Sequence, residues 1–542
     1  MCNRKNEPGM PRLAIMKILQ LSQVESLDRV VLATKFIHRK EWYKTQGHWM
    51  KPPSDYYLNK ITWPIRKRFS PYYTGRLDER KKELRSILIT VPMLYDLPKE
   101  IDVVEHHTAH AASAYYGSHY GRDDAVAILT ADGSGDGLSS TVATNNSDGS
   151  MTRLAASTRN ASLGKIYSTT TLLMGFKPWE HEYKLMGMAP YSKPDQEALD
   201  KLCEIINVRK GRFVENYSSD WAYSILKTLY THKSLPRICS ALQIWFETMV
   251  IKWMNSLGDL FDKDELPTKY AFAGGNFMNV KGNMLISQMP QVDDMFITPS
   301  AGDESTCIGA AWQIVAEDAI AHGLHPKDVI EPFGAMYLGT EAMPEHSKEL
   351  RNNKDLNVEI VKNPDELIGN LLSEGNIVAR CSGRTEFGAR ALGNRSILAP
   401  ADNYRIVDRL NASIKHRDFW MPFTPSILYS NRKILLENPK DIYAPYMITC
   451  FPATDVGKSE LEAALHPWDK TMRPQMVKAK DNGGYYKVLK QYNKRTGCSG
   501  FLNTSFNLHG SPIVNDVETA IHTLLNSGLE NLVVDNLLIT KA

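Results

Sequence analysis

The sequence holds no run of about 18 apolar residues, so no segment reads as a membrane-spanning helix. Residues 1–20 mix polar and apolar side chains and lack the apolar stretch of a secretory signal. No two cysteines have C-x-x-C spacing. The seven (Cys2, Cys203, Cys239, Cys307, Cys381, Cys450, Cys498) are odd in number and scattered, which reads as reduced thiols in a cytoplasmic protein. Fixed-period repeats and low-complexity tracts are also missing. What is present is a 542-residue chain, 43% hydrophobic and 23% charged, enough for a large core and unlike a disordered segment. Its length alone suggests two to four domains.

The net charge of +3 hides an uneven distribution. Residues 35–85 carry 14 Lys/Arg against 5 Asp/Glu, a local excess of +9 that leaves −6 for the rest. The same segment holds Trp42, Tyr43, Trp49, Tyr56, Tyr57, Trp63, Tyr72 and Tyr73. Basic residues interleaved with aromatics suit an anionic, stackable ligand such as a nucleotide or nucleic acid. The plainer explanation is a solvated insertion whose rings pack on the main domain.

Apolar runs and helical periods alternate, which places the chain in the α/β class. Residues 124–131 read as a buried strand, closed by the turn Asp132-Gly-Ser-Gly-Asp-Gly137 and followed by a strand at 139–144. Residues 269–275 read as a second buried strand, with a helix from Asn276 to about Ser287. Another helix follows Ala301-Gly-Asp-Glu-Ser305, with Ile308, Ala311, Trp312 and Val315 at helical spacing. A boundary is expected between 334 and 347, dividing the chain into domains 1–345 and 346–542. In the second, a helix at 364–374, strands at 376–381 and 500–503, a helix at 516–527 and a strand at 531–540 are expected.

Two clusters carry chemistry. His106 and His110 are four residues apart, so a helix puts both imidazoles on one face, able to grip one metal ion. Asp132, at a strand end, and Asp303, at a helix start, could add carboxylates. Such a set suits iron, manganese or zinc. His107 could act as a supporting group or as a proton acceptor. Gly133 and Gly135 in the turn, and Gly274-Gly275-Asn276 before a helix, offer backbone N–H groups to a phosphate. The plainer readings are capping histidines and an ordinary Asp-Gly hairpin.

The second cluster is basic. Arg384 and Arg390 flank Glu386, and Arg395, Lys415 and Arg417 follow. In Asn503-Thr-Ser-Phe-Asn507, Ser505 and Asn507 alternate with Phe506, so an extended chain points them to one side. Cations with Ser and Asn donors suit a phosphate-activated acyl group. Against this stands the reading as surface ion pairs.

These segments resemble the O-carbamoyltransferases of the nodulation-factor and antibiotic-tailoring type (NodU/CmcH-like). The resemblance rests on Glu105-His-His-Thr-Ala-His-Ala-Ala-Ser113, Asp132 to Gly137, Glu182-Tyr-Lys-Leu-Met-Gly-Met-Ala-Pro-Tyr191, Gly274-Gly-Asn-Phe-Met-Asn279, Gly302-Asp-Glu-Ser305, Gly383 to Gly393, Ile414-Lys-His-Arg417 and Asn503 to Asn507. They occur in the family's order and cover about residues 100–540. The resemblance implies an N-terminal domain with the duplicated actin/Hsp70-type ATPase fold and a C-terminal domain like YrdC/Sua5. It also implies that carbamoyl phosphate and ATP, with Mg, form carbamoyladenylate at Lys415, Arg417, Ser505 and Asn507. Arg384, Arg390 and Asn503 are expected beside them. The carbamoyl group would then pass to an acceptor hydroxyl at a divalent metal, iron first, held by His106, His110, Asp132 and Asp303. Gly274, Gly275, Asn276 and Asn279 become adenylate neighbours, with Lys165, Tyr167 and Lys184 as further candidates for that pocket. The family opens with a strand and a small-residue turn containing His-Asp. Here Met16 to Ser22 reads as the strand, but Gln23-Val-Glu-Ser26 follows. The acceptor is expected to be a small molecule, tilted towards a nucleotide or other anionic compound by segment 35–85, and a homodimer stays open. Two other readings use the same residues: a tRNA threonylcarbamoyl-type transferase, and a nucleic-acid-binding protein with inactive catalytic domains.

Overall fold

Alternate residues of one apolar strand bury on opposite faces, and this period of two organises the first part of the molecule. The computed structural model describes residues 26–34, 100–261, 266–342, 353–415 and 417–542, with isolated positions of 15–22 and 81–89 and Leu350. Most of the basic, aromatic segment 35–85 and His416 lie outside the described residues.

The elements that frame the first cluster are β1 (Val31–Leu32), β2 (Asp102–Val103), α1 (His106–Tyr115), β3 (Val126–Gly135), β4 (Leu138–Asn145), β5 (Met151–Thr158), α2 (Glu182–Met188), α3 (Leu235–Asn255), β6 (Lys269–Ala273), α4 (Val280–Gln288), β7 (Asp294–Ile297) and α5 (Thr306–Ala321). Strands β5-β4-β3-β6-β7 form one sheet, antiparallel from β5 to β3 and parallel from β3 to β7. Val126 and Ile128 of β3 face Ala112, Tyr115 and Ala316 of α1 and α5. Ala127 and Leu129 face the opposite core, which contains Trp245, Met249 and Trp253 of α3.

A separate stretch of chain builds an eight-stranded sheet. Its elements are β8 (Leu356–Ile360), α6 (Pro364–Ser373), β9 (Val378–Cys381), β10 (Arg395–Ala399), β11 (Thr424–Leu428), β12 (Gln475–Val477), α7 (Gly483–Thr496), β13 (Gly500–Ser505), α8 (Val517–Leu525), β14 (Asn531–Val534) and β15 (Leu537–Lys541). The strand order is β8-β15-β14-β9-β10-β13-β11-β12, with parallel pairs only at β9–β14 and β11–β12. Ile368, Leu372, Tyr485 and Val488 of α6 and α7 cover one face over Val378, Leu398 and Phe501.

Four local expectations need correction. Residues 132–135 are strand, not turn; β3 runs to Gly135, and only Asp136 (φ 47°) and Gly137 (φ 88°) turn the chain. Two successive positive φ angles match the twist of a tight hairpin, so the plainer hairpin reading was correct there. Residues 531–540 split into β14 and β15 around Asp535 (φ 45°). Described positions of 15–22 are helical rather than extended. Ile15, Met16 and Leu19 recur at helical spacing and pack with Leu84, Leu88 and Ile101. In α5 the buried stripe is Gly309, Ala310 and Ile314, while Val315 faces solvent. A Cβ on Gly309 would lie 1.9 Å from the Ala109 carbonyl oxygen, so α5 turns its small residues to a close crossing with α1.

Candidate functional site

Helix α1 starts where its free amides find acceptors. Glu105 caps it, its carboxylate accepting from the N–H groups of His107 and Thr108 at 3.1 and 2.8 Å. Asp136, at the hairpin tip, accepts from the His106 N–H at 2.8 Å. The four-residue spacing then brings the His106 and His110 Nε2 atoms to 3.1 Å. Strand β3 bulges between Ala131 and Gly135, where three of its residues face one of β4. The bulge takes Asp132 out of the ladder. One of its oxygens accepts from the Gly275 N–H at 3.1 Å and the other lies 3.4 Å from His106 Nε2. The crossing of α1 and α5 sets Asp303 Oδ1 at 3.5 Å from both His106 Nε2 and His110 Nε2.

One ligand atom from each of His106, His110, Asp132 and Asp303 thus lies within 4.8 Å of the others. An ion about 2.1 Å from each donor spaces its donors about 3.0–3.4 Å apart. The observed separations and the mixed nitrogen and oxygen donors therefore fit a divalent ion such as iron, manganese or zinc. With these side chains alone, burial disfavours the His106 cation. The hydrogen bond to Asp132, and then the charge of Asp303, outweigh burial and hold its imidazole up at about 9. Asp132 is held well below the usual carboxylate range despite burial, through the His106 hydrogen bond and the histidine charges.

The glycines serve this cluster by giving it room. A Cβ on Gly135 would fall 1.9 Å from His106 Cδ2, and one on Gly274 (φ 105°) would fall 2.2 Å from the Ala131 oxygen. Gly133 and Asn276 both lie against Gly164, and the Gly133 oxygen accepts from Ser162 Oγ at 2.6 Å. Asn279 caps α4 through Gly282 N–H and exchanges hydrogen bonds with Gln243, which also accepts from Tyr167. Lys165 donates to the Arg159 oxygen, and Lys184 pairs with Asp418 at 3.0 Å. His107 turns away from the ligand cluster. It is fully buried, with Nδ1 2.7 Å from Thr130 Oγ1, and Nε2 has no hydrogen-bond partner among the described residues. Burial, then the charges of His110 and His106, lower it to about 4, so it is neutral at pH 7.

In the second cluster, Lys415 ends a π-type turn, Asn411–Lys415, and reaches the end of β13. Its Nζ donates to the Ser505 oxygen, to Ser505 Oγ at 3.2 Å and to Asn507 Oδ1 at 2.8 Å. Ser505 Oγ donates to Asn507 Oδ1 at 2.7 Å, so the two polar residues do share a side, with Phe506 buried between them. Arg417 donates to Thr504 Oγ1 at 3.0 Å. Burial first, then the charge of Arg473, lowers Arg417 to about 10, while burial followed by Arg473 and Arg417 weighs against Arg390. Burial also lowers Lys415, with Arg417 adding to it. The Nε atoms of Arg390 and Arg473 are buried without a hydrogen-bond partner, and no carboxylate pairs with these four cations among the described residues.

Arg473 is a member that sequence reasoning missed. It stands alone beyond a two-residue strand, with no motif to announce it. Three expected neighbours lie elsewhere or are engaged. Arg384 donates to the oxygens of Gly339 and Leu338. Arg395 is fully buried and donates to backbone oxygens of Ser382, Gly383, Asn394, Thr340 and Asn515. Asn503 is buried, donating to the Ala391 oxygen, Ser426 and Gln475. Glu386 accepts from the amides of Leu392, Asn394 and Arg395 and so shapes the loop that carries Arg390.

Two family models match this chain: the carbamoyltransferase N-terminus over residues 20–312 and the carbamoyltransferase C-terminus over residues 369–541. The chain belongs to the carbamoyltransferase family. Among its relatives, the nodulation protein NolO of Bradyrhizobium diazoefficiens is 31% identical over 455 residues, covering 81% of this chain and 79% of that protein. The nodulation protein NolNO of Sinorhizobium fredii is 30% identical over 457 residues, covering 82% and 64%. An uncharacterized protein of Methanocaldococcus jannaschii is 30% identical over 509 residues, covering 92% and 93%. Family membership makes this protein a transferase. Among the described residues no helix is long and apolar enough to cross a membrane.

Proposed function

We propose that this carbamoyltransferase makes carbamoyladenylate from carbamoyl phosphate and ATP at the basic cluster and passes the carbamoyl group to an acceptor hydroxyl at the histidine–aspartate cluster. The observation that carries the reading is the set of four cations gathered together without a carboxylate among the described residues: Lys415, which is buried, and Arg417, Arg390 and Arg473, which are half-buried. Charges of one sign partly withdrawn from water repel, and polyanionic substrates relieve that cost. Lys415 holds Ser505 and Asn507 in place, and their polar atoms can orient a carbamoyl group while the guanidiniums bind phosphate oxygens in forked pairs. Carbamoyl phosphate first loses orthophosphate to water, leaving carbamate, a poor electrophile because nitrogen donates into its carbonyl; its oxygen then joins the ATP α-phosphorus as pyrophosphate departs, and AMP becomes the leaving group.

His106, His110, Asp132 and Asp303 would hold the divalent ion, which would stabilise charge on the departing adenylate phosphate. Gly275 N–H keeps Asp132 turned towards that ion. Residues 1–345 are read as the actin/Hsp70-type transfer domain and 346–542 as the YrdC-like, adenylate-forming domain; the two separate sheets support this division. A small hydroxylated acceptor, anionic if segment 35–85 meets it, completes the reaction. The test is mass spectrometry after incubation with carbamoyl phosphate, ATP, magnesium and a panel of hydroxyl compounds. One compound should gain a single carbamoyl group while AMP and pyrophosphate accumulate. ATP left intact in the presence of carbamoyl phosphate would overturn the reading.

A further inference from the structure

We propose that Tyr191, Phe419 and Trp468 form a stacking ledge for the base of a nucleotide whose phosphates lie among Arg390, Arg417, Arg473 and Lys415. The inference rests on reading that cluster as a polyanion site, and it places the part of the ligand which the cations leave unheld.

Phe419 and Trp468 are 69% and 63% exposed, unusual for rings that meet other rings in a group. The Tyr191 ring lies between them, 6.0 Å from Phe419 at 86° and 5.7 Å from Trp468 at 37°. The group is anchored from behind. His466 packs 5.5 Å from Tyr191, its Nε2 lies 2.9 Å from the Gly187 oxygen, and the backbone N–H of Trp468 donates to its Nδ1 at 3.3 Å. The Tyr191 ring and the Trp468 backbone are therefore held in position, while the Phe419 and Trp468 rings stay largely open to solvent.

Three separate segments tie this ledge to the cations. Arg417 and Phe419 are two residues apart, which limits their Cα atoms to about 7 Å. Residues 466–473 carry Trp468 near one end and Arg473 at the other. Residues 182–191 carry Tyr183, close enough to Arg390 and Arg417 to act on their charge, and end at Tyr191. A free polyphosphate would use the cations and ignore the rings, and an apolar partner would do the reverse. A planar base joined to phosphates uses both. The rings offer faces rather than hydrogen-bonding edges, so they act by stacking.

The test titrates the full chain with a non-hydrolysable ATP analogue and, separately, with inorganic tripolyphosphate, by calorimetry. Wild type should bind the analogue more tightly than tripolyphosphate. Phe419→Ala and Trp468→Ala should each weaken the analogue roughly tenfold and leave tripolyphosphate unchanged. Equal affinity for the analogue in wild type and both variants would overturn the ledge while the cation site stood. Failure of wild type to bind either probe would sink the cation reading and the ledge with it.

Discussion

At the scale of single residues, the His106 ring occupies space that only glycine at position 135 leaves open. Gly135→Ala would put a methyl group inside that ring, so strand and imidazole must part. The variant should lose the metal proposed for this cluster, measured by elemental analysis beside the wild type, and about 1–3 kcal/mol of stability. The two clusters should separate by function. Lys415→Ala should abolish pyrophosphate release driven by carbamoyl phosphate, whereas His110→Ala should retain it and lose transfer. Equal loss of pyrophosphate release in both would contradict two sites. Lys415 also sets a pH dependence. Burial and Arg417 lower it in the folded protein from its ordinary 10.5. The unfolded chain therefore binds more protons in the window between the two values, and stability rises with pH across it. Chemical denaturation of the ligand-free protein from neutrality to about pH 10 should show that rise. Saturating tripolyphosphate should flatten it by pairing the ammonium.

At the scale of elements, the loop between β9 and β10 is held by its own flanks. Arg395 spends its guanidinium on five backbone oxygens, and Glu386 accepts from three amides of the same loop. Arg395→Ala should therefore cost of the order of 3 kcal/mol in urea denaturation, because several buried carbonyls lose their donor. A loss of turnover at unchanged stability would instead show Arg395 touching substrate. Its sequence neighbourhood did not separate the two outcomes, since a cation in a polar loop looks the same in either role. Elements bounded by strong periodicity were legible: β3, β6, α6 and α8 lie close to where their apolar patterns put them. Short-range signals were less so. The glycines of residues 132–137 announce a turn, yet four of the six residues extend β3, because a bulge and the His106 ring also require small residues. In α5 the choice of stripe failed, because the buried face is defined by glycine and alanine at a tight crossing rather than by large side chains. The gathering of His106, His110, Asp132 and Asp303 was legible from spacing and position, whereas the places of Asp136 and Arg473 depend on contacts distant in sequence.

At the scale of the whole molecule, the stretches of chain that carry the two larger sheets meet through polar side chains, of which Lys281, Thr471 and His466 are buried. Lys281 of α4 donates to Asp469 and Thr471, and Lys440 donates to the Met289 and Val292 oxygens. Asp469→Asn would leave the Lys281 charge buried with a neutral partner, at a cost of about 3 kcal/mol. A second change, Lys281→Met, should recover part of it, and denaturation of both variants reads the difference. The same seam is crossed by Lys184–Asp418 and His466–Gly187. Tyr183 of α2 reaches the cations, and Tyr191 shortly after it closes the ring group. A ligand bound there would be gripped by residues 182–191 together with residues from the stretch 390–507. Exchanging the C-terminal portion with that of a relative would transplant an incomplete binding surface unless residues 182–191 travelled with it. Recombination within this family should therefore be tolerated as paired exchanges and selected against as single ones.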